Sequence, residues 1–136
     1  EKRHEGVSFD AISNGAPGIE TLLSVVYSEG VAKGRLTIER MADVLSTAPA
    51  ALFGLARKGS IESGMDADVV LFDPQATRVL SAADMHHTSD YTPYEGMAVR
   101  GAVRTVLVRG REVILNGEFV GSRGYGRFQE RSLSTR

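Results

Sequence analysis

The chain has 136 residues and an apolar content of 42%, enough for one domain with a buried core. Its 16 basic and 17 acidic residues nearly cancel, which argues against a nucleic-acid or anionic-membrane partner, because both need a concentrated basic face. No apolar run approaches the roughly 20 residues of a membrane span, no charged-then-apolar leader is read at the start, and the lack of cysteine excludes disulfides and thiolate metal sites. The cytoplasm is the expected location. The chain opens Glu1-Lys2-Arg3-His4-Glu5 without an initiator Met and enters loop chemistry within a few residues, so it is expected to be a piece of a longer polypeptide.

The first half has helical spacing. Asn14-Gly15-Ala16-Pro17-Gly18 is turn chemistry, since Asn and Gly tolerate positive φ and Pro suits the first turn of a helix. Ile19, Leu22, Leu23, Val26 and Tyr27 then recur on one helical face. Gly30 weakens the last turn, and Gly34 is the expected capping glycine, with Lys33 and Arg35 beside the helix's negative end. Thr37 is a good N-cap for a second helix, with Glu39 in its first turn and Ile38, Met41, Val44 and Leu45 as its apolar stripe. Ser46 or Thr47 is expected to end that helix or cap the next. Pro49 falls in the first turn of a short third helix carrying Leu52, Phe53 and Leu55, with Gly59 closing it. These amphipathic helices read as covers for a surface supplied elsewhere.

From about residue 60 the period becomes that of strands. Ser63-Gly64-Met65-Asp66 is a turn, and Val69-Val70-Leu71-Phe72 is an apolar run expected to be a strand buried on both faces. Asp73-Pro74 is expected to stop it. Residues 84–97 have no clear period and read as an ordered loop. Val103, Thr105 and Leu107 alternate with Arg104, Val106 and Val108. Either Arg109-Gly110 or Gly110-Arg111 turns the chain into Glu112-Val113-Ile114-Leu115. Asn116-Gly117 is a strong hairpin signal and Phe119-Val120 follows. The strands form a small antiparallel meander, and the tail from Gly121 is rich in Gly, Arg and Ser. Helices followed by strands suggest α+β or a junction between two domains; the junction is preferred, with the boundary near residues 56–60.

Five stretches together carry a family resemblance. They are Asn14-Gly15-Ala16-Pro17-Gly18-Ile19-Glu20; the run from Tyr27-Ser28-Glu29-Gly30-Val31 to Gly34; Ser46-Thr47-Ala48-Pro49-Ala50 with Lys58-Gly59-Ser60-Ile61; Gly64-Met65-Asp66-Ala67-Asp68-Val69-Val70-Leu71-Phe72-Asp73-Pro74; and the loop from Met85-His86-His87 through Asp90-Tyr91-Thr92-Pro93-Tyr94-Glu95-Gly96-Met97. In this order the chain resembles the C-terminal third of dihydropyrimidinases and bacterial hydantoinases, within the amidohydrolase superfamily. The resemblance implies an α/β fold: the end of a (β/α)8 TIM-like barrel, followed by antiparallel strands of a small β-sandwich. Residues 1–57 would be the end of the barrel, with its last active-site loop and trailing helices. Residues 58–120 would be sandwich strands, and residues 121–136 a tail at a subunit interface of a homodimer or homotetramer. Active residues of such barrels come from loops at the strands' C-terminal ends. The family's matching Asn contacts the amide edge of a ring substrate, a role the resemblance carries to Asn14.

The implied reaction is hydrolysis of the ring amide of a dihydropyrimidine or hydantoin to an N-carbamoyl amino acid. It needs an activated water and a polarised carbonyl, which a two-metal site supplies. The family uses binuclear zinc held by a His-x-His pair, a carboxylated lysine, two further histidines and an aspartate. The histidines here are His4, His86 and His87 and the lysines Lys2, Lys33 and Lys58, and none matches that pattern, so neither metal ligands nor catalytic residues are expected in this segment, which alone is expected to be inactive.

Other features have ordinary explanations. Adjacent side chains such as His86 and His87 point to opposite faces of a strand and do not easily share an ion, so a loop or interface role is preferred. Asp66 and Asp68 read as turn and strand-start residues. Gly15-Ala16-Pro17-Gly18 before a helix is only a weak phosphate signal. Asn14 read from the residues alone could equally cap or turn the chain, and the arginines of the tail fit a solvated or interface segment. A competing function is a non-catalytic assembly protein of the same fold, as in the collapsin-response mediators, which lack metal ligands. A free-standing binding module is disfavoured, because the helices would expose an apolar patch and the strands would expose their edges.

Overall fold

The computed structural model describes residues 15–132, together with Gly6, Ser8 and Asp10. Three short α-helices, α1 (Leu22–Val26), α2 (Ile38–Ala42) and α3 (Ala48–Leu52), precede four strands, β1 (Val69–Val79), β2 (Ala98–Val108), β3 (Arg111–Leu115) and β4 (Glu118–Phe119). The strands form one antiparallel sheet in the order β1-β2-β3-β4, the meander expected from the sequence. Among the described residues no helix is long and apolar enough to cross a membrane.

The helical half differs from its expected boundaries in physically clear ways. α1 starts at Leu22 with Thr21 as its cap position. Pro17 therefore lies in the loop, not in the first helical turn, and Ile19 is 94% exposed in the turn before the helix. A π-helical turn, Tyr27–Val31, continues α1, and Gly34 takes a left-handed φ of 68° beyond it as expected. Thr37 caps α2 as predicted, its hydroxyl accepting from Arg40 N at 3.1 Å.

The second helix does not end at Ser46 or Thr47. A second π turn, Asp43–Thr47, carries it directly into α3, with Ala48 N bonded to Asp43 O. Pro49 cannot donate to the helical ladder, and its ring crowds the carbonyl four residues back; the wider π turn falls immediately before it. Thr47 caps nothing, and its hydroxyl instead donates to Gly59 O at 2.8 Å. α3 closes at Leu52, followed by Gly54 at φ 66° rather than by Gly59, so Leu55 lies outside the helix. Gly59 serves another purpose: a Cβ there would lie 2.6 Å from the Cβ of Ala50.

The sheet corrects two further expectations. β1 is not stopped by Asp73-Pro74 but runs through to Val79, with register shifts at Leu71/Phe72 and Asp73/Thr77. The second irregularity lets a proline sit inside the strand. Asp73 Oδ1 accepts from Gln75 N at 2.9 Å and Ala76 N at 3.2 Å, and Arg100 Nε donates to Pro74 O at 3.1 Å. Nor is the apolar run buried on both faces here, since Val70 and Leu71 are 47% and 53% exposed. The turns between the later strands are those the sequence signalled. Arg109 (φ 50°) and Gly110 (φ 77°) make the first, and Asn116 (φ 52°) and Gly117 (φ 85°) the second; positive φ at both positions matches the twist of a two-residue hairpin.

The buried residues come from all the helices and from the sheet. Tyr27, Met41, Ala50, Leu80 and Val99 are buried, with Thr21, Ser24, Ser28 and Thr92. Tyr27 meets Phe72 of β1 edge to face, and Ser28 Oγ accepts the amide of Arg100 in β2 at 3.1 Å. These contacts fasten helix to sheet.

Candidate functional site

Asn14, the expected substrate contact, lies outside the described residues, but the loop that follows it is described. Gly15 has φ 84°, a left-handed conformation that glycine adopts without strain. Its carbonyl accepts the hydroxyl of Tyr91 at 3.2 Å. Thr21, fully buried at the end of the same loop, donates through its hydroxyl to Gly18 O at 3.2 Å.

The second anchor is Glu20. Its Oε2 accepts the main-chain N–H of His86 at 2.9 Å, and its Oε1 lies 2.9 Å from His86 Nδ1. Burial pushes the Glu20 carboxyl up, but the hydrogen bonds from the His86 ring and backbone outweigh it and hold the group below the usual glutamate range. Two contacts of high sequence separation thus tie residues 85–97 to the loop after Asn14. The chain around His86 is a loop after the 3-10 turn Ala82–Asp84, not a strand, and His86 has the loop-to-loop role preferred for it. His87 is oriented differently: both of its ring nitrogens are buried and unbonded among the described residues. Residues 80–97 close on themselves through Leu80 N to Met97 O and Gly96 N to Leu80 O, both 2.9 Å, with Ala82 N donating to Glu95 Oε2 at 2.7 Å.

Asp66 and Asp68 are structural. Lys58 Nζ lies 2.9 Å from Asp66 and also pairs with Asp68, while Arg57 reaches Asp66 at 2.7 Å and Asp68 Oδ1 accepts Arg109 N at 2.8 Å. The network joins the end of the helical half to the β2–β3 turn. Lys33 is likewise engaged, with Glu29 at 2.6 Å. Among the described residues no group of three His, Cys, Asp or Glu side chains gathers where it could hold a metal ion; Glu20 and His86 are a pair with no third donor. The described residues therefore do not fit a binuclear metal centre.

Among the described residues, Tyr125 and Ser132 pack the tail on the same chain. Tyr125 donates to Val108 O at 2.9 Å beneath the guanidinium of Arg109, 4.3 Å from the ring centroid. Ser132 N donates to Gly54 O at 3.0 Å. In the sequence Glu20 and Tyr91 stand only as parts of motifs, with no task legible for either. A carboxylate and a histidine 66 residues apart leave no spacing signature, and only the fold brings them together.

Comparison with known proteins agrees with this architecture. Residues 4–113 match the model of the amidohydrolase family. The chain is 48% identical over 125 residues to a D-hydantoinase of Geobacillus stearothermophilus, covering 91% of this chain and 26% of that protein. It is 42% identical over 124 residues to a D-hydantoinase of Rhizobium radiobacter, covering 90% and 27%. Its backbone follows the D-hydantoinase structure from Bacillus sp. AR9 with a TM-score of 0.88 at 46% identity, over 92% of this chain and 28% of that one. It follows the dihydropyrimidinase of Brevibacillus agri NCHU1002 with a TM-score of 0.81 at 45% identity, over 84% and 25%. The chain thus spans about a quarter of the length of the curated relatives it matches, and its mixed helices and antiparallel sheet are those of the corresponding part of the hydantoinase fold. On the family match and the identity shared along most of its length, the chain belongs to the amidohydrolase family.

Proposed function

We propose that this segment is the C-terminal part of a metal-dependent cyclic amidohydrolase that opens dihydropyrimidine or hydantoin rings to N-carbamoyl amino acids. The observation that carries the reading is that 92% of the chain follows a D-hydantoinase in both sequence and backbone, at 46% identity and a TM-score of 0.88. In this reading residues 1–57 end the barrel, residues 58–120 supply sandwich strands and residues 121–136 lie at the interface of a cytoplasmic homodimer or homotetramer. Asn14 meets the amide edge of the ring: a carboxamide offers both a donor and an acceptor, which complements the paired N–H and C=O of a cyclic amide. Binuclear zinc, with a carboxylated lysine among its ligands, would supply the activated water when bound, and its ligands would belong to the rest of the parent protein. The segment by itself has no hydrolytic activity in this reading.

The test is ring opening of hydantoin and 5,6-dihydrouracil by the full-length protein that carries this segment, purified with added zinc. Formation of N-carbamoyl product from either ring is expected. A folded, zinc-loaded protein that opens neither would overturn the activity and leave the non-catalytic assembly reading.

A further inference from the structure

We infer that Glu20, His86 and Tyr91 are positioning residues that clamp the loop after Asn14 in its working conformation, an inference that rests on the proposed cyclic-amide activity. Each end of that loop has its own anchor. At Gly15 the Tyr91 hydroxyl holds the carbonyl next in sequence to Asn14. Five residues on, the Glu20 carboxylate takes the ring and the main-chain N–H of His86 with separate oxygens. A two-point carboxylate contact fixes orientation as well as distance.

The intervening residues need such a clamp. Residues 16–18 have no regular structure, and Gly15 and Gly18 carry no side chain to pack against a neighbour. Gly15 lies at positive φ with open space where a side chain would be, so no side chain of its own packs to fix its backbone. A loop of this kind keeps its conformational entropy unless it is tied down. The tie comes from residues 85–97, which are themselves closed by the Leu80–Met97 and Ala82–Glu95 hydrogen bonds. The clamping side chains touch the loop on either side of its irregular residues. They act on the backbone of residues 15–20, the loop that follows the proposed ring contact Asn14.

The test uses the full-length protein with E20A, H86A, the E20A/H86A pair, E20Q and Y91F. Hydrogen–deuterium exchange of residues 15–21 reads the clamp without reference to activity, and ring-opening kinetics read its consequence. Exchange in residues 15–21 is expected to rise about tenfold or more in E20A, which removes both contacts, to rise by less in H86A, which keeps the main-chain N–H to Oε2, and in the pair to match E20A, because the histidine ring has no carboxylate left to hold. The kcat/KM for ring opening is expected to fall by about one to two orders of magnitude, the scale of a small misplacement of a binding group, with melting temperature nearly unchanged. E20Q, which keeps an acceptor oxygen for His86 N, is expected to recover part of the loss, and Y91F isolates the Gly15 anchor if an E20 variant fails to fold. Unchanged exchange in H86A and Y91F would overturn the clamp. Raised exchange with wild-type kcat/KM, or losses that add in the double variant, would overturn the positioning role. Raised exchange in a protein whose wild type opens neither ring would locate the failure in the proposed activity, and would refute positioning for that chemistry while leaving the clamp standing.

Discussion

Tyr27 and Phe72 meet edge to face with ring centroids 4.9 Å apart and planes at 61°, and the backbone of Gly101 runs directly against both rings. A Cβ at position 101 would lie 2.4 Å from Phe72 Cζ and 2.6 Å from Tyr27 Cδ1, and the residue's φ is already +93°. Steric overlap and left-handed strain act together there. G101A in the full-length protein is therefore expected to cost about 2–4 kcal/mol, read as a lower denaturant midpoint at unchanged slope. A midpoint equal to wild type would show that the ring pair has room to shift and that this packing does not tie helix to sheet.

The ion network around Lys58 makes a pH prediction with two limbs. Burial works against the Lys58 ammonium, but its bonds to Asp68 and Asp66 outweigh that and raise its pKa. The bond from Lys58 holds the Asp66 carboxyl below the usual aspartate range. The depressed carboxyl stabilises the fold above its unfolded value, and that contribution is lost as pH falls through the folded one. The raised ammonium stabilises below its unfolded value, and that contribution is lost as pH rises through the folded one. K58M is expected to lower the melting temperature at neutral pH and to flatten both limbs of a stability-against-pH curve. Parallel curves for variant and wild type would show that the network adds nothing.

Asn14 tests the binding role most directly. If its carboxamide meets the amide edge of a ring, N14A leaves buried polar groups of the bound substrate unpaired, at about 1–3 kcal/mol. That corresponds to a fall in kcat/KM of about tenfold to hundredfold. Steady-state kinetics with hydantoin as substrate would measure it, and an N14A enzyme with wild-type kcat/KM would remove Asn14 from the site.

The isolated 136-residue polypeptide should not behave as a compact monomer. Leu22, Ile38, Leu52, Phe53, Ile61, Val70 and Leu71 are exposed in this segment, and several of them line an open groove of about 860 Å³ between the helices and β1. Monomers rarely expose apolar surface on this scale. Expressed alone, the segment is expected to aggregate or to bind a hydrophobic dye without a cooperative melt. Sedimentation as a monomer together with a sharp thermal transition would refute this.

Local chemistry made much of the fold legible. The Thr37 cap, the Gly34 stop and the Asn116-Gly117 hairpin were readable because a cap or a two-residue turn is decided by a few adjacent residues. The family resemblance was readable for a similar reason, since it rests on short linear motifs. Where neighbours in space are distant in sequence, the pattern was silent or misleading. Pro74 reads as a strand stop, yet the Asp73 carboxylate and Arg100 satisfy the backbone around it and the strand continues. Ser46 and Thr47 read as a break, yet a π turn absorbs Pro49 and the helix carries on.

The sequence by itself determined the order of helices and strands, the caps and tight turns, and membership of a motif-defined family, because each of these is encoded in neighbouring residues. Only the tertiary structure decided that Glu20 would find His86, that Tyr91 would hold Gly15, and that Gly101 would lie against two aromatic rings. Those contacts join residues tens of positions apart, and their geometry follows from how helix and sheet pack rather than from any spacing along the chain.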